Sequence, residues 1–480
     1  MKMYWIFGNL LFYIFLWTFK ITAAYEEFCE EFFPEMMCTC DVDYLHTKMM
    51  CFVQSDMDED NKLWREMSSV ENVVVLKLNA NLRVIRFTKI PSDSLRRMAF
   101  LEHLEIQQAN LTELKSYAIS DLKILRVLKL ENCEISELQS NAITNLPRLK
   151  KLSLSDNLIE EINADALTSL LELENLFLER NRISRIGTCA FCDLQNLREL
   201  NLFENEIEDL TEYMFRGIRL LTRLDLSNNK IRILNDKIFH ALPKLDDLDL
   251  HSNAIYHIGP RAFQGLEKLR SLNLKMNKIK MLPDAVFKSL PSLRSVDLDK
   301  NELITLQEEV LKNMDKVKDP HFYFHVSNNS FVCDCRLAWV KTYIHHNYSY
   351  YLTKELMQLQ CHTEDEKLSM QFAHKMKMDC SKFVEQQKTT TTTTPWPVTE
   401  QPAKLVPYEI HKSKNRTIND LSADSENNDI IQDSEAIDNS DETNDSGPSG
   451  SKAVVADFNL IMLATLLTLF LVRKRKGTCF

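Results

Sequence analysis

Glycine is scarce in this chain, with 8 residues among 480. Only four glycines lie between the two ends: Gly187, Gly217, Gly259 and Gly265. Nucleotide-binding loops need several residues without a Cβ so that backbone N–H groups can approach a phosphate. Neither G-x-G-x-x-G nor G-x-x-x-x-G-K can be formed from these four positions. The scarcity therefore argues strongly against a nucleotide-binding loop.

An excess of positive charge and the common catalytic patterns are also missing. The chain has 58 Lys plus Arg against 69 Asp plus Glu, a net charge of −11. Nucleic-acid-binding proteins usually present a basic face to phosphates. The sequence contains no H-E-x-x-H and no G-x-S-x-G, and we interpret His345 and His346 as a surface pair. We expect no enzyme activity, no cofactor or metal, no small-molecule substrate and no nucleic-acid partner.

The two ends of the chain have the composition of targeting segments. Residues 1–24 combine Lys2, a long apolar run and small residues at the exit, as a secretory signal peptide does. An N-terminal membrane anchor is the alternative. Residues 453–472 are apolar and four basic residues follow them, which predicts a single-pass type I span. Small residues before that stretch leave a lipid-anchor (GPI) signal as the alternative. Both anchors predict the extracellular face of the plasma membrane.

One pattern, L-x-x-L-x-L-x-x-N-x-L, fills the middle of the chain. Its second leucine recurs from Leu104 to Val296 in nine copies with a period of 24 residues, and two further copies, at Leu76 and Phe324, lie 28 residues outside them. Each L-x-L segment is expected to be a short strand that buries its leucines by pairing with its neighbour in a parallel sheet. The asparagine should satisfy backbone groups at the turn. Ten residues beyond it, a phenylalanine column should form a stacked core.

In these motifs the chain resembles the extracellular leucine-rich repeat family. The resemblance implies an α/β fold, a horseshoe-shaped solenoid of about eleven repeats with short parallel strands on its concave face. The cysteines on either side of the repeats resemble the N- and C-terminal caps of that family. By the same resemblance, the disulfides are Cys29–Cys40, Cys38–Cys51, Cys333–Cys361 and Cys335–Cys380. Zinc at either quartet is the alternative, which an oxidising compartment disfavours.

Three more cysteines lie within the repeats. Cys133 falls in the asparagine column, which faces the core, so we predict a buried free thiol. Cys189 and Cys192 fall in columns that hold polar residues in other repeats, which places both near the outer surface. We expect them to form a short disulfide or an intermolecular one. A redox C-x-x-C function is the alternative, and it lacks a thioredoxin-like surrounding.

Composition divides the chain into seven predicted segments. They are a signal peptide at 1–24, an N-terminal cysteine cap at 25–70, leucine-rich repeats at 71–331, a C-terminal cysteine cap at 332–381, a disordered Thr/Pro-rich and then acidic stalk at 382–452, a transmembrane helix or lipid-anchor signal at 453–472, and a cytoplasmic tail at 473–480. The stalk lacks the apolar residues needed for a core. N-glycosylation sequons occur at Asn110, Asn328, Asn347, Asn415 and Asn444.

The repeat register predicts which side chains point outward from the sheet. A basic group comprises Lys129, Lys150 and Lys151, and an acidic group comprises Asp225, Asp247, Asp249 and His251. Between the two groups, Phe177 and Phe203 are expected to project into solvent as candidate binding hot spots. Packing on neighbouring side chains or cover by a glycan is the alternative. The spacing of the two charge groups about this pair also suggests an isologous homodimer.

The caps, the 24-residue copies, the stalk and the short tail are together similar to connectin-type cell-surface adhesion proteins. This resemblance implies a membrane-anchored adhesion or recognition protein. Its partner would be an extracellular or cell-surface protein, which could be a second copy of this chain (homophilic binding). A co-receptor or sequestering receptor for a soluble extracellular ligand is the alternative function.

Overall fold

The computed structural model describes residues 28–29, 31–43, 46–80, 87–312, 322–346, 350–363 and 367–370. The predicted signal peptide, stalk, membrane span and cytoplasmic tail lie outside the described residues. The segment boundaries given above therefore stay predictions. No helix in the described part of the chain is long and apolar enough to cross a membrane.

The described residues are organised around a sheet of thirteen strands. The first two strands, Met36–Asp43 and His46–Val53, form an antiparallel hairpin in the N-terminal cap. The other eleven are parallel, one for each repeat, and we number the repeats 1 to 11 by these strands in chain order. They are Val73–Ala80, His103–Gln107, Val127–Glu131, Lys151–Ser153, Asn175–Phe177, Glu199–Asn201, Arg223–Asp225, Asp247–Asp249, Ser271–Asn273, Ser295–Asp297 and Tyr323–His325. The predicted solenoid of about eleven repeats is confirmed.

Shorter elements complete each turn and both caps. Two-residue strands on the side away from the main sheet are Glu113–Leu114, Ile119–Ser120, Glu137–Leu138, Ile143–Thr144, Glu161–Ile162, Leu167–Thr168, Arg185–Ile186, Ile233–Leu234 and His257–Ile258. The helices are Lys62–Ser69, Ser92–Arg97, Glu308–Lys312, Ala338–His346 and Tyr350–Gln358, with a 3-10 turn at Cys335–Leu337. A small sheet in the C-terminal cap contains Phe331–Val332, Gln360–His362 and Lys367–Ser369.

Leucine columns hold the strands in register. Leu128 pairs with Leu152, and Leu152 with Leu176, and all three side chains are fully buried. Successive side chains of a strand point to opposite faces, so the residues on either side of each leucine face outward. Burying a leucine stabilises the fold by about 2 kcal/mol. The two outlying copies keep this register, because Leu76 pairs with Leu104 and Val296 with Phe324.

The asparagine column forms a ladder of side-chain hydrogen bonds between neighbouring repeats. Asn181 is typical: its Nδ2 donates to the carbonyl of Leu154 in the preceding repeat at 2.9 Å and to that of Leu178 at 3.0 Å. Its Oδ1 accepts the N–H of Ile159 at 3.1 Å. These backbone groups are buried where the chain leaves the strand, so leaving them unpaired would be costly. The predicted role of the asparagines is confirmed.

A left-handed residue precedes each ladder position. Ten such residues, none of them glycine, have positive φ: Gln108, Asn132, Asp156, Arg180, Glu204, Asn228, Ser252, Met276, Lys300 and Asn328. The conformation turns each N–H toward the next repeat; Arg180, for example, donates to the carbonyl of Phe203 at 2.9 Å. Left-handed backbone usually favours glycine, because a Cβ crowds the following carbonyl. The fold therefore needs this conformation repeatedly, although glycine is scarce.

The phenylalanine column is a stacked core on the outer side of the solenoid, as predicted. Phe215, Phe239, Phe263 and Phe287 are buried, with successive ring centroids 5.8, 6.3 and 6.3 Å apart. In earlier repeats the same column holds Ile119, Ile143 and Leu167, which begin three short strands that pair with one another. Repeats of the same length therefore form the outer side of the solenoid in two ways, with stacked phenylalanines or with short paired strands.

The structure contains the disulfides Cys29–Cys40, Cys38–Cys51, Cys333–Cys361 and Cys189–Cys192. The first three are pairings that the family resemblance implies, and the last is the short disulfide expected from the sequence. Cys335 is also disulfide-bonded, but its predicted partner Cys380 lies outside the described residues. Cys133 is a buried free thiol, and burial raises its pKa to about 12.

Candidate functional site

The candidate site is the outward face of the main sheet, which we call the sheet face. In each repeat it presents the residues directly before and after the buried leucine and the residue two positions further on. In repeat 8, for example, these are Asp247, Asp249 and His251. Because the repeats are in register, these side chains form three columns across the eleven parallel strands.

In repeats 1 to 3 the charges of the sheet face are paired within the chain. Glu105 is 7% exposed, and Lys77 Nζ lies 2.8 Å from its Oε2. Gln107 Nε2 donates to Glu105 Oε1 at 2.7 Å. Burial opposes ionisation of Glu105, but the hydrogen bond from Lys77 and the positive charges of Lys129 and Lys77 outweigh it and lower its pKa. Burial also lowers the pKa of the neighbouring His103.

The three predicted basic residues all have partners in the chain. Lys129 Nζ lies 3.8 Å from Glu131 Oε1, and Lys150 Nζ lies 2.8 Å from Glu174 Oε1. Lys151 places its ammonium group 4.6 Å from the ring centroid of Phe177. The homodimer hypothesis requires these three lysines to pair with acidic residues of a second copy, but each already has a partner within its own chain.

Phe177 and Phe203 lie diagonally on adjacent strands at the centre of the sheet face. Phe177 is in register with Asn201, and Phe203 follows two residues later on the same face. Both side chains are half-buried. They lie on the outward face and protein atoms cover part of each ring, so their role as binding hot spots stays a prediction. The ammonium group of Lys151 covers part of the Phe177 ring, which agrees with the alternative that the ring packs on a neighbouring side chain.

The predicted acidic residues lie together on repeats 7 and 8. In the described part of the chain, no Lys or Arg comes within ion-pair distance of Asp225, Asp247 or Asp249, whereas His251 Nδ1 lies 2.7 Å from Asp249 Oδ1. Asp247 keeps solvent contact, but the protein around it partly desolvates its carboxylate. This desolvation, together with the charges of Asp249, Asp246 and Asp225, raises the pKa of Asp247. Among the described residues, the charges of these three aspartates are thus not matched by a Lys or Arg ion pair.

A column of Asn and Asp residues, which the sequence analysis missed, has a structural role on this face. In repeats 6 to 10 the side-chain oxygen of the residue after the leucine accepts the N–H two positions later. The five residues are Asn201, Asp225, Asp249, Asn273 and Asp297. Such Asx turns form equally well with an amide or a carboxylate. The turn at these five positions therefore needs an Asx side chain but not its charge, whereas repeat 5 has Phe177 in the same column.

Two predicted glycosylation sites lie within the described residues. Asn328 is exposed, whereas Asn110 is half-buried and its Nδ2 donates to Glu134 Oε2 at 2.6 Å. Asn347, Asn415 and Asn444 lie outside the described residues. No group of three or more His, Cys, Asp or Glu among the described residues is arranged to hold a metal ion.

Residues 125–319 match the family described as Leucine rich repeat, in overlapping segments 125–183, 171–231, 219–279 and 267–319. A comparison with curated proteins finds no match to this chain.

Several solved structures are similar to this chain. The glycosylated Toll–Spatzle complex of Drosophila contains a chain with a TM-score of 0.53 and 20% identity, over 63% of this chain and 44% of that one. Another form of the same complex gives 0.52 and 20%, over 60% and 42%. A chain in the complex of Latrophilin 3, Unc5D and FLRT2 gives 0.48 and 23%, over 65% and 90%. This chain thus spans less than half the length of the matched Toll–Spatzle chains.

The sequence period, the register of the parallel strands, the asparagine ladder and the match over residues 125–319 agree with one another. Identities of 20% show a shared fold. The described part of this chain is therefore a leucine-rich repeat solenoid.

Proposed function

We propose that this chain is a cell-surface adhesion or recognition protein that binds a protein partner through its sheet face. One observation carries the proposal: the inward residues hold the solenoid together, while the outward columns present half-buried aromatic rings near carboxylates that have no Lys or Arg ion pair among the described residues. Aromatic anchors surrounded by charged side chains are typical of protein-binding surfaces. Solenoids with such extended faces generally bind macromolecules.

Comparison with Toll supports a protein partner. The Toll structures with this fold are complexes with Spatzle. We extend only the class of partner, an extracellular or cell-surface protein, to this chain. The nine disulfide-bonded cysteines among the described residues also suit an oxidising, extracellular compartment. The predicted signal peptide and membrane or lipid anchor would place the solenoid on the outer surface of the cell.

In the proposal, the contact centres on Phe177 and Phe203 rather than on matched charge patches. Lys150 and Lys151 already contact Glu174 and the Phe177 ring, so transferring them to a second copy would break existing contacts. Among the described residues, Asp225, Asp247 and Asp249 have no Lys or Arg within ion-pair distance. This asymmetry favours contact between unlike surfaces over a two-fold charge exchange.

The test is clustering of otherwise non-adhesive cells that express the full-length chain. We expect clusters, and we expect the variant Phe177→Ala with Phe203→Ala to reduce clustering at least about tenfold, as removal of two hot-spot residues does. The matched control is Tyr213→Ala with Tyr256→Ala, which removes two exposed aromatic rings outside the sheet face. The control should cluster like the unmodified chain.

Two outcomes would contradict parts of the proposal. Equal clustering by both variants would remove the two phenylalanines as the contact. Single cells throughout, with surface expression confirmed, would contradict homophilic adhesion and favour a heterophilic partner, or a co-receptor or sequestering receptor for a soluble ligand. Treating half the cultures with a phosphatidylinositol-specific phospholipase tests the anchor, because only a lipid-anchored chain would be released.

A further inference from the structure

Three tyrosines form an exposed cluster at the C-terminal end of the sheet face. Tyr323 belongs to the strand of repeat 11, and Tyr350 and Tyr351 begin the cap helix Tyr350–Gln358. The ring centroids of Tyr323 and Tyr351 are 5.0 Å apart, and those of Tyr350 and Tyr351 are 5.4 Å apart. Tyr350 is 66% exposed, and the other two are each 38% exposed. A cluster this open leaves aromatic faces available for a ligand.

Three carboxylates lie beside this tyrosine cluster. Asp297 is in register with His325 on the adjacent strand, and His325 Nδ1 lies 3.5 Å from Glu355 Oε1. Asp299 Oδ1 accepts the N–H of Ser327, two residues after His325, at 2.6 Å, which places Asp299 next to repeat 11. Burial raises the pKa of Glu355; the charges of His325 and Lys354 oppose this rise, and that of Asp299 adds to it. Among the described residues, no Lys or Arg lies within ion-pair distance of Asp297, Asp299 or Glu355.

Aromatic faces and carboxylates together are complementary to one chemical group in particular. A guanidinium ion stacks on aromatic rings and donates paired hydrogen bonds to carboxylates, which an ammonium ion does less well. The three carboxylates outnumber the two basic side chains, His325 and Lys354, that act on Glu355, so a cationic ligand would complete the local charge balance. The tyrosine hydroxyl groups add polar contacts at the rim.

We propose that Tyr323, Tyr350 and Tyr351, with Asp297, Asp299 and Glu355, form a binding site for an arginine-bearing segment of the partner protein. This inference rests on the proposed function, because it specifies the chemistry of the protein that the sheet face binds. It also places a second contact about five repeats from Phe203, at the far end of the face. A partner that reaches both contacts would lie along the acidic repeats between them.

The test measures binding of short fluorescent peptides to the purified full-length chain in neutral detergent by fluorescence anisotropy. The probes are a Gly/Ser peptide with four arginines, the same peptide with four lysines, and the same peptide with four glutamines. We expect the arginine peptide to bind most tightly and the glutamine peptide not to bind. Tyr323→Ala with Tyr351→Ala should weaken binding of the arginine peptide about tenfold, whereas Tyr323→Phe with Tyr351→Phe should retain it.

A matched pair of charge variants separates a built site from general attraction to an acidic protein. Asp297→Asn with Glu355→Gln removes two charges at the site and should weaken binding about tenfold. Glu172→Gln with Glu267→Gln removes two charges from exposed residues outside the sheet face and should change binding less than about twofold. Equal losses from the two pairs would overturn the proposal, as would unchanged binding in the tyrosine-to-alanine variant.

Control measurements keep these outcomes interpretable. Far-ultraviolet circular dichroism and the urea midpoint of each variant report whether the solenoid remains folded. The peptide assay needs no cell contact, so its failure would remove the arginine site alone. Failure of the clustering assay would instead leave the arginine site standing and contradict homophilic adhesion.

Discussion

Two regions of the sheet face differ in how they balance charge. In repeats 1 to 3, Glu105 lies among Lys77, Lys129 and His103, and its pKa is lowered. In repeats 7 and 8, Asp247 lies among other aspartates, and its pKa is raised. The leucines that the strands bury are equivalent in both regions. The difference shows that the repeat fixes the frame, while the outward columns determine whether a region is internally satisfied or open to a cationic partner.

The largest predicted effect comes from the asparagine ladder. It tests whether ladder positions contribute equally to the free energy of unfolding along the chain. Asn181→Ala and Asn277→Ala each remove a ladder amide, one on either side of the centre of the chain's repeats. Each substitution leaves buried carbonyl and N–H groups unpaired, at about 1–3 kcal/mol per group. We expect each to cost at least about 3 kcal/mol, measured as a shift of the urea midpoint.

We expect the two variants to lose the same amount of stability, because the two asparagines make the same ladder contacts. Asn277 Nδ2 donates to the carbonyls of Leu250 and Leu274, both at 3.0 Å, as Asn181 does to the corresponding leucines. A difference of more than about 2 kcal/mol between the two variants would show that the frame itself differs along the chain.

The second prediction concerns repeats 1 to 3, where the charges of the sheet face are paired within the chain. Glu105→Gln keeps the shape of the side chain but removes the charge that pairs with Lys77. We expect a loss of about 2 kcal/mol at pH 7, because hydrogen bonds to buried charged groups contribute about 1.5–3 kcal/mol. The folded-state pKa is lowered from about 4.5, so the contribution of Glu105 is present above that pH and is lost as the pH falls through the folded value. Urea midpoints at pH 7 and pH 3 measure this; an equal loss at both would contradict the assignment.

The third prediction has the smallest expected effect, and it is a gain rather than a loss of folding stability. Asp247→Asn removes a carboxylate that neighbouring aspartates and partial desolvation disfavour, so it should stabilise the fold at pH 7. Because Asp247 keeps solvent contact, screening limits the gain to about 0.5 kcal/mol. Its pKa is raised from 3.8, so the gain is full above the folded pKa and disappears as the pH falls below 3.8. A loss of stability at pH 7 would show that the charge is compensated.

Most of the frame can be predicted from the sequence, because inward positions follow a strict period. The spacing of Leu104 through Val296 gave the strands and their register, and the same count placed the asparagine and phenylalanine columns. Ion pairs across repeats also follow the period: Lys150 and Glu174 are 24 residues apart. The Asx column was visible at this spacing too, in Asp225 and Asp249, but we interpreted those residues only as outward charges.

The surface could be predicted less well, because exposure depends on neighbours that the repeat does not specify. Whether Phe177 projects into solvent depends on the rotamer of Lys151 in the adjacent repeat. The tyrosine cluster joins Tyr323 of repeat 11 to Tyr351 of a cap helix that lies outside the repeat pattern. No periodicity relates these two positions, so the contact emerges only from the packing of the cap.

The asparagine ladder has a further consequence for how such a face can change in size. Each amide bonds to its own repeat and to the one before it, so the ladder has no built-in end point. Inserting or deleting one whole period would change the face by one strand spacing, about 4.8 Å, with every other register intact. Other repeat lengths must place the extra residues outside the strand, as the two 28-residue copies do, in which Leu76 still pairs with Leu104 and Val296 with Phe324. The reach of the binding surface can therefore evolve in whole-strand steps, separately from the chemistry displayed on it.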